Sequence, residues 1–379
     1  MKSISLTIAI VLIIVIIVAI VGIYYVHNLL SNKPISITIY NTQSISTPSP
    51  FQQDIAICNG TVNLGSNFAY VNNPILFNQI NPNGQNVYFV NSSGNILYSW
   101  YEGQLNYNGV TCDVWWVNIP QGIPASSNVT IYMYIGSTGA NYYKQYYPYV
   151  GASPQVISGY DNGNYTFIAY GYFNNTFDGW SGYMVWPLAA TSEGIELSSI
   201  GGGIAYTLPP NNWNIPQIPL IVEEAWYYDS TYDQNGIVLF GDTNNQLYGF
   251  ISNLSTYSYF IFSYGITYLI SAVTNQVLNY TASSLPSEGT VYSYLVVNST
   301  YAQTGYYIYN SNQVWAPLTL LDTYNINSNG YTYSNLNYNP YQYPTLEISI
   351  TGRGGTQYIQ WVVARAYPPN GIMPSIYIG

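Results

Sequence analysis

The run Cys112-Asp113-Val114-Trp115-Trp116-Val117-Asn118-Ile119-Pro120 decides the fold class. It has the length of a strand, is rich in β-branched and aromatic side chains, and ends at a proline that cannot donate to a ladder. A second run of the same kind, Val129-Thr130-Ile131-Tyr132-Met133-Tyr134, follows across the turn cluster Pro120-Gln121-Gly122-Ile123-Pro124. Upstream, period-two or β-branched runs recur at Ile35-Ser36-Ile37-Thr38-Ile39, Asp54-Ile55-Ala56-Ile57-Cys58 and Val87-Tyr88-Phe89-Val90. Turn clusters at Asn81-Pro82-Asn83-Gly84 and Asn91-Ser92-Ser93-Gly94 separate such runs, and no helical period competes. An all-β architecture is expected.

Only the amino terminus breaks this pattern. Ile4 to Val26 carries no charge and is longer than the roughly 20 residues a helix needs to cross a bilayer core. It reads as a transmembrane helix, with the membrane as its partner. Lys2 before it and His27 and Lys33 after it orient it weakly, so composition sets the expectation: a short inner terminus and both β domains outside the cell or on a virion surface. Two alternatives stay open. One is a cleaved secretory signal, for which Val21-Gly22-Ile23-Tyr24 is a poor site. The other is a pilin-like leader cut near Lys2-Ser3-Ile4-Ser5 that leaves an assembly helix.

Charged residues make up 5% of the 379, against about 25% in ordinary soluble domains, while tyrosine alone supplies 45 positions. Such a surface depends little on pH, which suits an acidic exterior where carboxylates are protonated. The composition resembles that of secreted proteins of hot-acid archaea such as Sulfolobales. Five Lys and Arg cannot form a basic footprint, so nucleic acid is excluded as a partner. The two cysteines, Cys58 and Cys112, read as a disulfide between strands, with buried free thiols as the alternative. Asn-x-Ser/Thr sequons at Asn59, Asn91, Asn128, Asn164, Asn174, Asn253, Asn279 and Asn298 read as glycosylation sites.

Tyr40-Asn41-Thr42, Asn86-Val87-Tyr88-Phe89, Ser99-Trp100-Tyr101-Glu102, Val114 to Pro120 and Ile131-Tyr132-Met133-Tyr134-Ile135-Gly136 occur in that order. The series resembles a domain of unknown function found in bacterial and archaeal surface proteins, commonly placed before a concanavalin A-like lectin or glucanase domain. Asn141 to Pro154 then reads as a linker. Gly159-Tyr160-Asp161-Asn162-Gly163, Asn175 to Trp180, Gly194-Ile195-Glu196-Leu197, Leu220 to Trp226 and Gln357 to Arg365 resemble a concanavalin-like jelly roll. The expected organisation is an anchor and stalk over 1–34, one β-sandwich over 35–150 with its linker, and a jelly-roll-like sandwich over 151–379.

The resemblance brings both lectin and glycosidase chemistry into view. A retaining glycosidase needs two carboxyls about 5–5.5 Å apart, which an E-x-D-x-E strand supplies. No such run exists: Glu193 and Glu196 diverge, as do Glu223 and Glu224, which leaves only a pair from distant strands such as Glu224 with Glu347. The sole histidine, His27, lies beside the membrane segment, which removes a Ser-His-Asp system. No enzyme activity, cofactor or metal is expected. Asp229, Asp233 and Asp242 could offer oxygens to calcium, but Asp and Asn in such stretches are also what hairpins need. Aromatic rings are the better ligand-binding candidates, since flat faces stack on sugars; Trp213, Tyr324, Tyr331 and Tyr333 lie in loop-like sequence. The expected function is a membrane-anchored exterior glycoprotein for surface recognition or adhesion that binds glycans or partner proteins. The alternatives are a self-associating assembly subunit, pilin-like or an archaeal virus spike, and a polysaccharide hydrolase.

Overall fold

The computed structural model describes residues 13–18, 34–62, 68–183, 188–197, 202–208, 219–228, 234–242, 257–263, 266–271, 276–282, 289–297, 301–309, 318, 320, 331–334, 345–353 and 356–379. In chain order the first unit contains β1 (Ile35–Asn41), β2 (Phe51–Cys58), β3 (Tyr70–Asn72), β4 (Val87–Asn91), β5 (Ser99–Tyr107), β6 (Val110–Ile119), β7 (Ser127–Ile135) and β8 (Val150–Ala152). The second contains β9 (Ala169–Tyr172), β10 (Ser181–Tyr183), β11 (Ala189–Thr191), β12 (Gly194–Leu197), β13 (Gly202–Leu208), β14 (Leu220–Tyr228), β15 (Gln234–Asp242) and β16 (Tyr257–Ser263). It continues with β17 (Ile266–Ser271), β18 (Gln276–Ala282), β19 (Gly289–Val297), β20 (Tyr301–Tyr309), β21 (Tyr331–Ser334), β22 (Thr345–Arg353) and β23 (Gln357–Ala366); β24 (Ser375–Ile378) closes the chain.

These strands form two sandwiches, of the all-β class that the patterning predicts. The first pairs a four-stranded sheet, β24-β1-β7-β4, with a five-stranded sheet, β3-β2-β6-β5-β8. The second pairs a seven-stranded sheet, β10-β13-β22-β15-β16-β17-β18, with an eight-stranded sheet made of the path β11-β12-β23-β14-β19-β20-β21 and, as its eighth strand, β9 beside β23.

Alternation along β6 explains how the sandwiches join. Trp115 points into the first sandwich, where Phe89 of β4 meets it edge-on with ring centroids 5.9 Å apart. Its neighbour Trp116 points the other way, and the Arg365 guanidinium of β23 lies 4.8 Å over its ring. β5 repeats the rule: Tyr101 packs on Trp115, while Trp100 packs on Phe167 and Tyr170 beyond β8. The five-stranded sheet is thus covered on both faces, which is why Val114 to Val117 reads as a continuous apolar run rather than an alternating one. One hydrophobic core runs through both units.

Polar contacts secure the same seam. Gln52 accepts from the Ala366 amide at 2.9 Å, and Gln53 donates to the Pro374 carbonyl at 3.0 Å. Glu102 accepts from Trp116 Nε1 at 2.7 Å with one oxygen and from the Leu320 amide at 2.9 Å with the other. The last strand returns to the first unit, where β24 pairs antiparallel with β1.

Several turns follow from local sequence. Gly84 ends the Asn81-Pro82-Asn83-Gly84 turn at φ +68°, and a Cβ there would stand 2.6 Å from the Tyr101 ring, so both backbone and space demand glycine. The stretch read as a linker is folded: Asn141 caps the helix Tyr142–Tyr146 by accepting from the Lys144 amide, and β8 pairs parallel with β5.

The anchor read at Ile4 to Val26 lies outside the described residues except for 13–18, which are helical and expose their Ile and Val side chains. Among the described residues no helix is long and apolar enough to cross a membrane.

Candidate functional site

The disulfide is present. Register places Cys58 of β2 directly opposite Cys112 of β6, and the two are bonded. The pair is buried in a small cluster with Val62, Phe68 and Val114, and closing a separation of 54 residues stabilises by ~4 kcal/mol through loop entropy.

Of the ring residues singled out in the sequence, Trp213 and Tyr324 lie outside the described residues. Tyr331 and Tyr333 fall in β21, the outer strand of the eight-stranded sheet, opposite Thr304 and Ala302 of β20. Among the sequons, Asn59, Asn128, Asn164 and Asn174 are exposed, whereas Asn91 is half-buried with its Oδ1 accepting from the Ser93 and Asn95 amides. Asn279 is placed only as backbone in β18, and Asn253 and Asn298 lie outside the described residues.

The acidic residues have structural surroundings. Glu223 and Glu224 of β14 are both fully buried: Glu223 meets Arg365 Nε at 2.9 Å, and Glu224 accepts from the Ser293 hydroxyl at 2.7 Å. Glu347 belongs to β22 in the facing seven-stranded sheet. Glu193 is exposed in the turn before β12, and Glu196 is half-buried on that strand. Among the described residues no three metal-ligating side chains gather; Asp229 and Asp233 lie outside them, and Asp242 ends β15.

The structure assembles a different aromatic group. Parallel pairing of β5 with β8 sets Ser99 opposite Val150, so the residues just before them, Tyr98 and Tyr149, become neighbours. The Ser99 amide donates to the Tyr149 carbonyl at 2.8 Å, and the two rings stack at 4.7 Å with 17° between planes. Tyr165, on the short helix Gly163–Thr166, stacks on Tyr98 at 5.6 Å and 19°. Asn162 fixes that helix by donating to the Ser99 and Pro148 carbonyls. Three near-parallel rings result, with Tyr98 between them and the end rings open to solvent: Tyr149 is 44% and Tyr165 49% exposed. Tyr147, 47% exposed, stands beside them with its hydroxyl donating to the Asp161 carbonyl.

Burial, then the hydrogen-bonded Tyr149 hydroxyl and Tyr165, raise the Tyr98 phenol above its ordinary 10. Burial, then Tyr165 and Asp161, raise Tyr147 as well. These two hydroxyls therefore stay neutral from acid to mild alkali and can both donate and accept. An uncharged platform of flat faces and hydroxyls suits a neutral, polyhydroxylated ligand. The second tyrosine group is different. Tyr88 and Tyr134 are cross-strand partners stacked at 4.8 Å, and Tyr142 and Tyr146 close over them, so those rings are half-buried among themselves.

No family model matches the chain. A protein of Sulfolobus islandicus rod-shaped virus 1, described as "Uncharacterized protein 562", is 29% identical over 374 residues. That alignment takes in 92% of this chain and 59% of the viral protein, so the chain spans about three-fifths of its relative. Among solved structures, lectin II from Ulex europaeus overlaps 53% of this chain and all of its own, at 8% identity and a TM-score of 0.36. Peanut lectin overlaps 53% of this chain and 98% of its own, at 8% identity and a TM-score of 0.34. A carbohydrate-binding module of Bacillus subtilis gives 53%, 97%, 7% and 0.30 in the same order.

Proposed function

We propose that this chain is an exterior glycoprotein of surface recognition that binds glycans on the Tyr149–Tyr98–Tyr165 stack, held at a membrane by Ile4 to Val26. The observation that carries the reading is the pair of open ring faces at the ends of a rigid, uncharged stack. Rigid tyrosines lose little entropy on binding, and neutral hydroxyls beside them offer hydrogen bonds to sugar hydroxyls. Binding of the full-length protein, kept in mild detergent, to a glycan array tests it. Each of Tyr149→Ala and Tyr165→Ala should weaken the retained glycans by roughly 2- to 10-fold, the worth of one aromatic stack. An empty array, or glycans held equally by the double variant, refutes the proposal.

The relative from a rod-shaped virus favours a second reading, a recognition subunit on a virus particle. Immunogold labelling of purified particles with antibody to this chain tests it, and particles without label count against it.

A further inference from the structure

β24 is the outer strand of its sheet, and among the described residues no strand pairs with its far edge. The Gly379 amide donates to the Ser36 carbonyl, so residue 379 is hydrogen-bonded to β1, as are its alternate neighbours Tyr377 and Ser375. The main-chain groups of Ile376 and Ile378 therefore point away from β1, toward the open edge. The strand is short, but it carries neither of the side-chain protections of an edge: Ser375-Ile376-Tyr377-Ile378 has no charge and no proline. Beside it runs a groove of about 690 Å³ whose lining includes Phe68, Val71, Met373 and Ile376 and no charged residue.

We infer that a second copy of this chain adds to this edge, β24 against β24, across a twofold axis. The strand is self-complementary in one register. With Ile376 opposite Ile378 of the partner subunit, and the reverse, all four outward N–H and C=O groups of each strand are bonded. A register centred on Ile376 would instead set Ile378 against Pro374, which has no N–H. The favoured register brings Tyr377, 58% exposed in one copy, face to face with the partner's Tyr377 on the outer surface. Ile376 and Ile378 alternate to the inner side, where the partner's equivalents enter the uncharged groove. Two four-stranded sheets become one of eight.

The experiment uses full-length protein in mild detergent, with its mass read by multi-angle light scattering and its contacts by cysteine cross-linking. The native cysteines are bonded to each other, so an introduced one reports alone. At a non-hydrogen-bonded pair the Cα atoms of residue 377 stand about 4.5 Å apart, within disulfide reach. The two copies of residue 375 stand about 13 Å apart along the strand, out of reach. The expected results are a protein mass twice 42.3 kDa, a covalent dimer from Tyr377→Cys on oxidation, and none from Ser375→Cys. Tyr377→Lys, which sets two cations against each other on an exposed face without touching the core, should yield single copies. A single-copy wild type at tens of micromolar overturns the inference. So does equal cross-linking at 375 and 377, or a Tyr377→Lys protein that remains dimeric through some other surface.

Discussion

Asp113 should make this protein weaken as pH rises. Its side chain is fully buried on β6, with the Tyr101 hydroxyl donating to it. Burial pushes its carboxyl from the ordinary 3.8 up to about 7, against the opposing hydrogen bonds from Tyr101 and Gln104. Between those two pH values the folded chain holds a proton that the unfolded chain has released, so stability falls with rising pH. The contribution is fully present below pH 3.8 and gone above about 7, a difference of ~4 kcal/mol. Asp161 acts in the same direction: burial lifts it to about 6 despite bonds from Tyr170, the Gly163 amide and Trp100, a further ~3 kcal/mol. Urea unfolding followed by tryptophan fluorescence at pH 3, 5 and 8 and constant ionic strength measures this directly. Wild type should be most stable at pH 3. Asp113→Asn, which keeps an acceptor for Tyr101 but cannot ionise, should shrink the fall between pH 3 and pH 8 by about 4 kcal/mol. A wild type equally stable at pH 3 and pH 8, or a variant with an unchanged slope, refutes the reasoning.

Two further outcomes follow from the packing. Gly84→Ala must seat a methyl 2.6 Å from the Tyr101 ring at a φ of +68°, and thermal denaturation should show a loss of about 2–3 kcal/mol. Arg365→Met fills much of the same volume over Trp116 but strips buried Glu223 of its ion-pair partner; denaturation at neutral pH should show a loss of about 3–5 kcal/mol, recovered in part by Glu223→Gln in the same chain.

Strand patterning made the all-β class and individual strands legible, because runs such as Ile35 to Ile39 and Val129 to Tyr134 carry their own period and end at turn residues. The disulfide was legible because two cysteines in strand-like runs admit one pairing. The seam between the units was not. Trp115 and Trp116 are identical in type and adjacent in sequence, and only the pleat assigns one to the sandwich core and the other to Arg365. Adjacent Glu223 and Glu224 diverge to opposite faces of one strand, yet both are buried because Arg365 and Ser293 reach them from neighbouring strands. The candidate site was hidden for a related reason. Tyr98, Tyr149 and Tyr165 are three of 45 tyrosines, and what unites them is parallel pairing of β5 with β8 across some fifty residues, a long-range register with no local signal. Position in a loop-like stretch, the property that pointed to Trp213 and Tyr324, says that a ring is accessible but not that it has neighbours.

Scarcity of cations explains why tyrosine serves inside and outside alike. Fifteen carboxyls face five Lys and Arg, so most buried acids must be held by neutral donors. Tyr101 donates to Asp113, Tyr170 and Trp100 to Asp161, Trp116 to Glu102 and Ser293 to Glu224; among the described residues the one ion pair is Arg365 with Glu223. A neutral donor stabilises a buried carboxylate less than a cation does, so burial wins at Asp113 and Asp161 and both are protonated in acid. Protonated, each carboxyl no longer incurs the cost of a buried charge. The interior therefore gains stability in the same conditions under which a charged surface would lose its solubility and its ion pairs. On the outside, burial and neighbouring groups raise the phenols of Tyr98 and Tyr147 above their ordinary 10, so these two hydroxyls face no such change. The Tyr98 and Tyr147 hydroxyls of the proposed binding site keep their hydrogen-bonding character throughout the acid range in which Asp113 and Asp161 are protonated.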